Sequence, residues 1–169
     1  MSIVTEKGDD GFTDYPGVSA INEDCGRIRK DHPFIEYLGT IDELDAFLAL
    51  CEIALQSDGN AHFSGLIKKV REELFSADNQ QHTDWLEQQI AVLEKENPTQ
   101  GFVKTWTNTT AAKINIARTI CRRCERVLVH SQTTVPSSLS WLNRLSDLLF
   151  LLAVSVEKNP CKEITQPNI

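Results

Sequence analysis

The 169-residue sequence lacks the short motifs that identify several common enzyme chemistries. It contains no G-x-x-x-x-G-K-S/T phosphate loop and no G-x-G-x-x-G dinucleotide motif. Neither the G-x-S-x-G hydrolase motif nor the H-E-x-x-H zinc motif occurs. No E-x-x-H is present, which excludes the usual carboxylate-bridged di-iron bundle. Any catalytic site must therefore be built from other residues.

The composition also lacks extremes. With 41% hydrophobic and 24% charged residues, the chain is ordinary for a globular protein, and its length suits one domain. The net charge of −7 argues against a general nucleic-acid binder, which would carry a basic excess. The longest uninterrupted apolar run, Leu148–Val154, has seven residues, far below the roughly 20 that span a bilayer. We expect no nucleic-acid partner and no membrane association.

The cysteines form no regular disulfide pattern. Their odd number and irregular positions favour free thiols in a reducing compartment: Cys25, Cys51, Cys121, Cys124 and Cys161. The first residues, MSIVTEKGDDG, lack the apolar core of a signal peptide, so a cytoplasmic location is expected. Cys121 and Cys124 form one C-x-x-C pair, with His130 as a third candidate zinc ligand. Because the usual second pair is missing, an apolar helix stripe is the favoured interpretation.

Apolar periodicity predicts an all-α fold of five helices in a single domain over residues 1–169. The arm at 1–33 is rich in glycine, the helical bundle covers 34–158, and a tail covers 159–169. No segment shows sustained period-two alternation, so strands are not expected. The predicted helices are Phe34–Gln56, His62–Ala77, a helix from a Thr83–Asp84 cap to Pro98, Asn108–Ser131 and Ser137–Lys158.

One short segment of this acidic chain concentrates positive charge. Between Lys113 and Arg126 there are five basic residues and one acid. Arg118 and Arg122 stand one helical turn apart and share a face, where two guanidinium groups can hold a phosphate. The alternative is a solvated face on which Arg122, Arg126 and Glu125 form a network.

Two further segments carry polar groups in unusual surroundings. The last predicted helix is apolar nearly all round, yet it contains Asn143, Arg144 and Asp147, which either pair across the bundle or face a ligand. In the N-terminal arm, backbone N–H groups near Gly8 and Gly11 would suit an anion, although a plain turn explains the same residues.

Five segments together resemble the PduO-type ATP:cob(I)alamin adenosyltransferases. The sequence TEKGDDGFT at Thr5–Thr13 is similar to the family arm T-K/R-x-G-D-x-G-x-T/S, and Lys30-Asp31 to its K-D. Gly39–Leu44 matches G-T-x-D-E-L. The segment ARTICRRCER at Ala117–Arg126 resembles A-R-T-x-C-R-R-A-E-R, and WLNRLSDLLF at Trp141–Phe150 resembles F/Y-L-N-R-L-S-D-Y-L-F. The segments occur in the family order.

The resemblance implies a five-helix bundle assembled as a homotrimer, with active sites between subunits. The implied reaction moves the 5′-deoxyadenosyl group of ATP to cob(I)alamin, giving adenosylcobalamin and triphosphate. A reductase and a downstream cobalamin enzyme are implied as further partners. Magnesium would arrive with ATP rather than on a side-chain cage. Because reduced cobalt is itself the nucleophile, the protein needs positioning and electrostatics rather than a base.

The resemblance also assigns residues. Lys30 and Arg122 would be the catalytic pair, Phe102 would pack under the corrin, and Asp42 with Arg118 would form a salt bridge between subunits. The implied ATP site comprises Thr5, Glu6, Lys7, Gly8, Asp9, Gly11, Thr13, Asp14, Lys30, Arg122, Arg123, Glu125, Arg126 and Asn143.

Several positions depart from the family pattern. Glu6 replaces a basic residue, the arm between Thr13 and Arg27 is longer, and Lys104–Thr107 replaces the L-P-G-G that follows Phe102. Two alternatives therefore remain beside an active enzyme. One is a non-catalytic bundle that binds ATP or a corrinoid, and the other is a structural trimer.

Overall fold

A computed structural model describes residues 6–14, 27–75, 80–98, 105–131 and 136–158. In these ranges the chain forms two short strands followed by five helices, so the predicted five-helix bundle is confirmed. The elements are β1 (Phe12–Asp14), β2 (Arg27–Arg29), α1 (Pro33–Ser57), α2 (Ala61–Glu73), α3 (Gln80–Glu96), α4 (Thr109–His130) and α5 (Pro136–Lys158). Thr5, Phe102, Cys25, Cys161 and the predicted tail lie outside the described residues.

Local capping explains where α1 and α4 begin. The His32 Nδ1 accepts a hydrogen bond from the Phe34 N–H at 3.1 Å, and Pro33 occupies the first turn, where its missing N–H costs nothing. The Asn108 side chain accepts from the N–H groups of Thr110 and Ala111 at 2.8 and 3.0 Å. Both caps satisfy donors that would otherwise lack partners at the helix ends.

The predicted start of α3 is wrong. The helix begins at Gln80 rather than after a Thr83–Asp84 cap, and α2 ends at Glu73 instead of near Ala77. Thr83 is only 5% exposed, because it lies within α3 on a side that faces the bundle. A buried position inside the helix overrides the capping preference of the threonine.

The expectation of no strands is also wrong. β1 and β2 pair antiparallel, with Phe12 opposite Arg29, Thr13 opposite Ile28 and Asp14 opposite Arg27. Each strand has three residues, which is too short for an alternating pattern to emerge from the sequence. Ile28 is buried, so the pair has a buried side.

Helix α5 lies at the centre of the bundle. It packs against α3 and α4, and α1 packs against α2 and α4. Its seam residues Leu145, Leu149 and Leu152 are fully buried. Over Ser138–Lys158 the mean hydropathy reaches 1.4, and by length and composition alone this helix could cross a membrane. The seven-residue apolar run in the sequence therefore underestimates how apolar the helix is. Core helices of soluble proteins can be equally long and apolar, and 67% of the apolar stretch of this helix is buried inside the bundle.

The two cysteines of the C-x-x-C pair face the core. Cys121 Sγ donates to the Leu142 carbonyl at 3.2 Å, and Cys124 Sγ donates to the Thr40 carbonyl at 3.3 Å. Burial raises the pKa of both thiols, that of Cys124 to about 12. Within the described ranges no cluster of three His, Cys, Asp or Glu residues suits a metal ion. This placement agrees with the apolar stripe rather than with a zinc site.

Glu157 joins the end of α5 to the start of α4. Its carboxylate accepts from the backbone N–H groups of Thr107 and Asn108, each at 3.0 Å, and from the Thr107 hydroxyl. The Thr107 hydroxyl and these N–H groups hold the pKa of Glu157 below its ordinary value of 4.5. The contacts favour the ionised carboxylate in the folded state.

We expect Glu157→Gln to destabilise the fold by about 1 kcal/mol at pH 7, the size of a partly exposed charge-assisted contact. Because the folded pKa is depressed, the stabilisation by the carboxylate is complete above 4.5 and disappears as the pH falls through the folded value. Denaturant unfolding of both proteins at pH 7 and pH 3 measures this difference. The exposed Glu72→Gln is the matched control, and an equal loss at both pH values would contradict the assignment.

Candidate functional site

The loop before β1 is held from one side by Lys30, which lies in the turn after β2. Lys30 Nζ donates to the Gly8 carbonyl at 2.7 Å, and the Lys30 backbone N–H donates to the Gly11 carbonyl at 2.9 Å. Gly11 has a φ of +82°, a conformation that favours glycine. A Cβ atom on Gly8 would lie 2.7 Å from Lys30 Nζ, so glycine allows this close approach. Two residues assigned to phosphate from the sequence, Gly8 and Lys30, are therefore in direct contact.

Arg27 on β2 is the second basic residue that holds this loop. Its Nη1 donates to Asp10 Oδ2 at 2.7 Å, and its Nη2 to Asp10 Oδ1 at 3.1 Å. Asp14, across the strand pair, lies 3.3 Å from Nε. The Arg27 guanidinium and the Phe12 N–H hold the pKa of Asp10 below its ordinary value. Sequence reasoning assigned no role to Arg27 or Asp10, because strand pairing brings them together.

These residues border an open groove of about 520 Å³. Its lining is more acidic than a phosphate site requires, since four carboxylates face two basic side chains. The lining comprises Glu6, Lys7, Asp9, Asp10, Asp14 and Arg27. The side chains of the loop bring negative charge that Arg27 and Lys30 offset. The N–H groups of Asp9, Gly11 and Phe12 donate hydrogen bonds within the loop.

The second group of candidate residues lies on α4. Arg118 and Arg122 share one face, as the spacing predicts. Arg118 Nε donates to Asn115 Oδ1 at 2.9 Å, which leaves its positive charge without a carboxylate in the described part of this chain. Burial and the neighbouring charge of Arg122 lower the pKa of Arg118. This proximity of two cations is a site that an anion would stabilise.

Of the other two arginines of α4, Arg123 contacts another helix and Arg126 is exposed to solvent. Arg123 pairs with Glu43 of α1, so it joins two helices instead of standing beside Arg122. Arg126 is exposed. The solvated-face alternative thus describes part of the basic segment, whereas the partly buried Arg118 differs from it. Asp42 is exposed on α1, and the described contacts do not pair it with Arg118 of the same chain.

A hydrogen-bonded series connects α4 to α5. Asn143 Nδ2 donates to Glu125 Oε1 at 3.0 Å, and Arg144 Nη2 donates to Asn143 Oδ1 at 2.5 Å. Arg144 in turn lies 3.6 Å from Asp147. Burial raises the pKa of Asp147, against the opposing effects of Arg144 and Arg122. The polar residues of α5 therefore pair with each other and with α4, at the edge of a cavity.

The cavity beside this series has a volume of about 590 Å³ and opens to solvent. Helix α3 supplies one wall through Thr83 and Glu87, which sequence reasoning did not assign. The other lining residues come from α4 and α5: Glu125, Leu139, Ser140, Asn143 and Arg144. A wall from α3 could be inferred only from the packing of α3 on α5. The cavity combines hydrogen-bonding side chains with an apolar wall, as is usual in small-molecule sites.

The helical bundle, with this cavity and with the arginine pair on α4, has the features of a protein that binds an anionic small molecule. The family model described as cobalamin adenosyltransferase matches residues 3–156. The chain therefore belongs to the cobalamin adenosyltransferase family, which confirms the family resemblance found in its motifs.

Curated relatives agree. The chain is 30% identical over 175 residues to the corrinoid adenosyltransferase PduO of Salmonella typhimurium, covering 90% of this chain and 49% of the relative. It is 32% identical over 173 residues to a corrinoid adenosyltransferase of Bacillus subtilis, covering 90% of this chain and 85% of the relative. The chain thus spans about half the length of the Salmonella protein and most of the Bacillus protein.

Solved structures show the same fold. An arginine-to-lysine variant of a PduO-type adenosyltransferase from Lactobacillus reuteri, complexed with ATP, has a TM-score of 0.80 at 24% identity, covering 92% of this chain and 94% of that one. A phenylalanine-to-alanine variant of the Lactobacillus protein, complexed with cobalamin and ATP, has a TM-score of 0.81 at 24% identity, covering 93% and 94%. The likeness extends over nearly the whole bundle.

Proposed function

We propose that the protein transfers the 5′-deoxyadenosyl group of ATP to cob(I)alamin, giving adenosylcobalamin and triphosphate. The observation that carries this proposal is the closeness of the Arg118 and Arg122 charges on α4, the helix whose Glu125 accepts a hydrogen bond from Asn143 in the wall of the cavity. Family membership, relatives named corrinoid adenosyltransferases, and neighbours complexed with ATP and cobalamin support it.

In the proposed reaction the reduced cobalt attacks the 5′ carbon of ATP. The cobalt–carbon bond forms with the cobalt electron pair while the bond from that carbon to the triphosphate oxygen breaks. The departing triphosphate takes the bonding electrons, so negative charge builds on its oxygen. Arg122 and Lys30 would stabilise that charge, and no side-chain base is required.

The phosphates would lie against the loop from Thr5 to Gly11, with Thr13 and Asp14 of β1 at its end. Lys30 holds the Gly8 carbonyl, which places its ammonium group at the loop that would meet the phosphates. Magnesium would be carried by the phosphate oxygens. Asp10 and Asp14 are engaged by Arg27, which suits an ion carried by ATP better than a cage of loop carboxylates.

The nucleoside part of ATP would enter the cavity at α4 and α5. Glu125 uses Oε1 for Asn143, so its second oxygen remains as an acceptor for a ribose hydroxyl or an amine. We also assign Arg123 and Arg126 to the border of the nucleotide site, although Arg123 pairs with Glu43 in the single chain. Phe102 is proposed to pack under the corrin.

We propose that the active assembly is a homotrimer in which sites form between subunits. The partly buried Arg118 lacks a carboxylate partner in the described part of its own chain, and Asp42 is exposed. A salt bridge from Asp42 of one copy to Arg118 of the next would satisfy both groups. The arm at 1–33 and the bundle at 34–158 would act as one cytoplasmic domain, supplied by a reductase and serving a cobalamin enzyme.

Anaerobic incubation of the protein with ATP, magnesium and reduced cobalamin tests the proposal. Appearance of a light-sensitive cobalt–carbon bond, with one triphosphate released per adenosylcobalamin, is the expected result. Binding of ATP or corrinoid without product would favour a non-catalytic binding bundle. If neither ligand changes the melting temperature, a structural trimer becomes the better description.

Glu6 gives a test specific to this chain. It lies at the groove with a φ of +57°, where the family pattern has a basic residue. We expect Glu6→Lys to lower the KM for ATP about fivefold, the effect of an exposed charge interaction of about 1 kcal/mol. Glu6→Gln should give a smaller decrease in the KM for ATP, and both decreases should become smaller as the salt concentration rises. An unchanged KM at low salt would place Glu6 away from the phosphates.

A further inference from the structure

Arg27 makes several contacts to the N-terminal loop in addition to its pairing with Asp10 and Asp14. Besides its paired bonds to Asp10, its Nη2 donates to the Lys7 carbonyl and, at 3.4 Å, to the Phe12 carbonyl. The guanidinium also lies 5.7 Å from the centre of the Phe12 ring. One side chain of β2 therefore contacts both ends of the loop from Lys7 to Phe12.

These contacts determine the direction of the loop peptides. The Lys7 carbonyl is turned toward Arg27, and the Gly8 carbonyl toward Lys30. In a trans peptide the N–H points opposite to the carbonyl, so the Gly8 N–H points away from Arg27 and the Asp9 N–H points away from Lys30. The Asp9 N–H donates to the Glu6 carbonyl at 3.3 Å, whereas the Gly8 N–H donates to no group in the described part of the chain and is available to an anion.

Arg27 also controls the local charge. Asp10 and Asp14 line the same groove as Glu6 and Asp9, and a polyphosphate would be repelled by four uncompensated carboxylates. The guanidinium engages Asp10 through two hydrogen bonds and lies 3.3 Å from Asp14. Lysine offers a single ammonium and cannot reproduce this planar fork on Asp10.

We propose that Arg27 is a positioning residue for ATP: it holds the Lys7–Phe12 loop with the Gly8 N–H turned away from its guanidinium and neutralises Asp10 and Asp14, so that the loop accepts the triphosphate. The inference rests on the proposed function and deepens it, because it assigns phosphate recognition to a side chain that need not contact phosphate. Arg27 acts through the backbone and through two carboxylates.

Arg29 is a natural control on the same strand. It pairs with Asp31, two residues away, at 2.6 Å, and its side chain is 67% exposed. Arg27→Gln and Arg29→Gln remove the same charge from β2, but only the first removes contacts to the loop. Arg27→Lys retains the charge and loses the fork.

The test measures KM and kcat for ATP and corrinoid in the three variants. We expect Arg27→Gln to raise the KM for ATP at least about tenfold, with kcat and the KM for corrinoid within about threefold of the unsubstituted protein. Arg27→Lys should recover part of the ATP affinity, and Arg29→Gln should lie within about twofold of normal. An unchanged KM for ATP, or equal increases in both KM values, would overturn the assignment.

Two further measurements separate this inference from the reaction itself. Calorimetric titration with ATP and magnesium reports binding without turnover, and amide hydrogen exchange over residues 7–12 reports the order of the loop. If the unsubstituted protein binds ATP but forms no adenosylcobalamin, the proposed reaction fails. Weaker ATP binding with faster loop exchange in Arg27→Gln then still supports the inference, and equal binding overturns it. If the unsubstituted protein binds no ATP, both fail.

Discussion

Replacement of Arg122 by alanine is expected to weaken ATP binding about 100-fold or more and to reduce adenosyl transfer at least as strongly. The guanidinium is exposed on α4, and no hydrogen bond or ion pair occupies it in the described part of the chain. It is therefore free to meet a phosphate. A charge-assisted hydrogen bond contributes roughly 1.5–3 kcal/mol, and two such bonds in one fork account for an effect of this size.

Stability should hardly change in this variant, because Arg122 does not contribute to the core. Circular dichroism and the melting temperature check that expectation, while calorimetry with ATP and magnesium measures the loss of affinity. The ATP affinity of Arg122→Lys should lie between those of Arg122→Ala and the unsubstituted protein, since lysine retains the positive charge without the planar fork of the guanidinium. Lys113→Ala removes a positive charge from the same helix and is the control. ATP affinity that is equal in Arg122→Ala and the unsubstituted protein would remove Arg122 from the proposed site.

Charge reversal at Asp42 or Arg118 is the second substitution with a large expected effect. If the two residues pair between subunits, Asp42→Arg places two cations together at the interface, and Arg118→Asp places two anions together. Losing one partner of a close interfacial charge pair costs about 2–5 kcal/mol, which corresponds to roughly 30-fold to several thousandfold. We expect either single variant to lose about 100-fold in activity or more.

The double variant carrying Asp42→Arg and Arg118→Asp provides the decisive comparison. It restores an opposite-charge pair with exchanged positions, so its activity and trimer content should recover at least about tenfold over either single variant. Sedimentation measures the assembly, and product formation measures the site. If the single variants remain active trimers, or if the double variant is no better than either, the proposed salt bridge is wrong.

The sequence predicted the presence of all five helices, because apolar residues recur along each of them at helical spacing. The ends of α1, α4 and α5 lie within one residue of their expected positions, since Asn108, Pro33 and Pro136 are local signals. Thr83 misled the prediction for α3, because a capping residue and a buried residue of the helix interior are identical in sequence. Only the packing of α3 against α5 distinguishes them.

In the candidate site, too, some features could be predicted from the sequence and others could not. Arg118 and Arg122 could be placed on one face from a spacing of four residues. The pairing of Asp10 with Arg27 could not be predicted, because it spans 17 residues and depends on two strands too short to show a pattern. The bond between Asn143 and Glu125 joins two helices and requires the crossing geometry of α4 and α5. Local periodicity carries no information about such crossings.

The buried thiols of α4 have a chemical consequence under the proposed reaction, in which reduced cobalt is a substrate. Cys121 and Cys124 belong to the same helix as Arg122, and an ionised thiol would be a good cobalt ligand and an easily oxidised group. Burial raises the pKa of Cys124 to about 12, so its thiol is protonated at pH 7. Both sulfur atoms are fully enclosed and donate to backbone carbonyls. Burial thus keeps these two thiols of α4 protonated and out of reach of the metal and of oxidants.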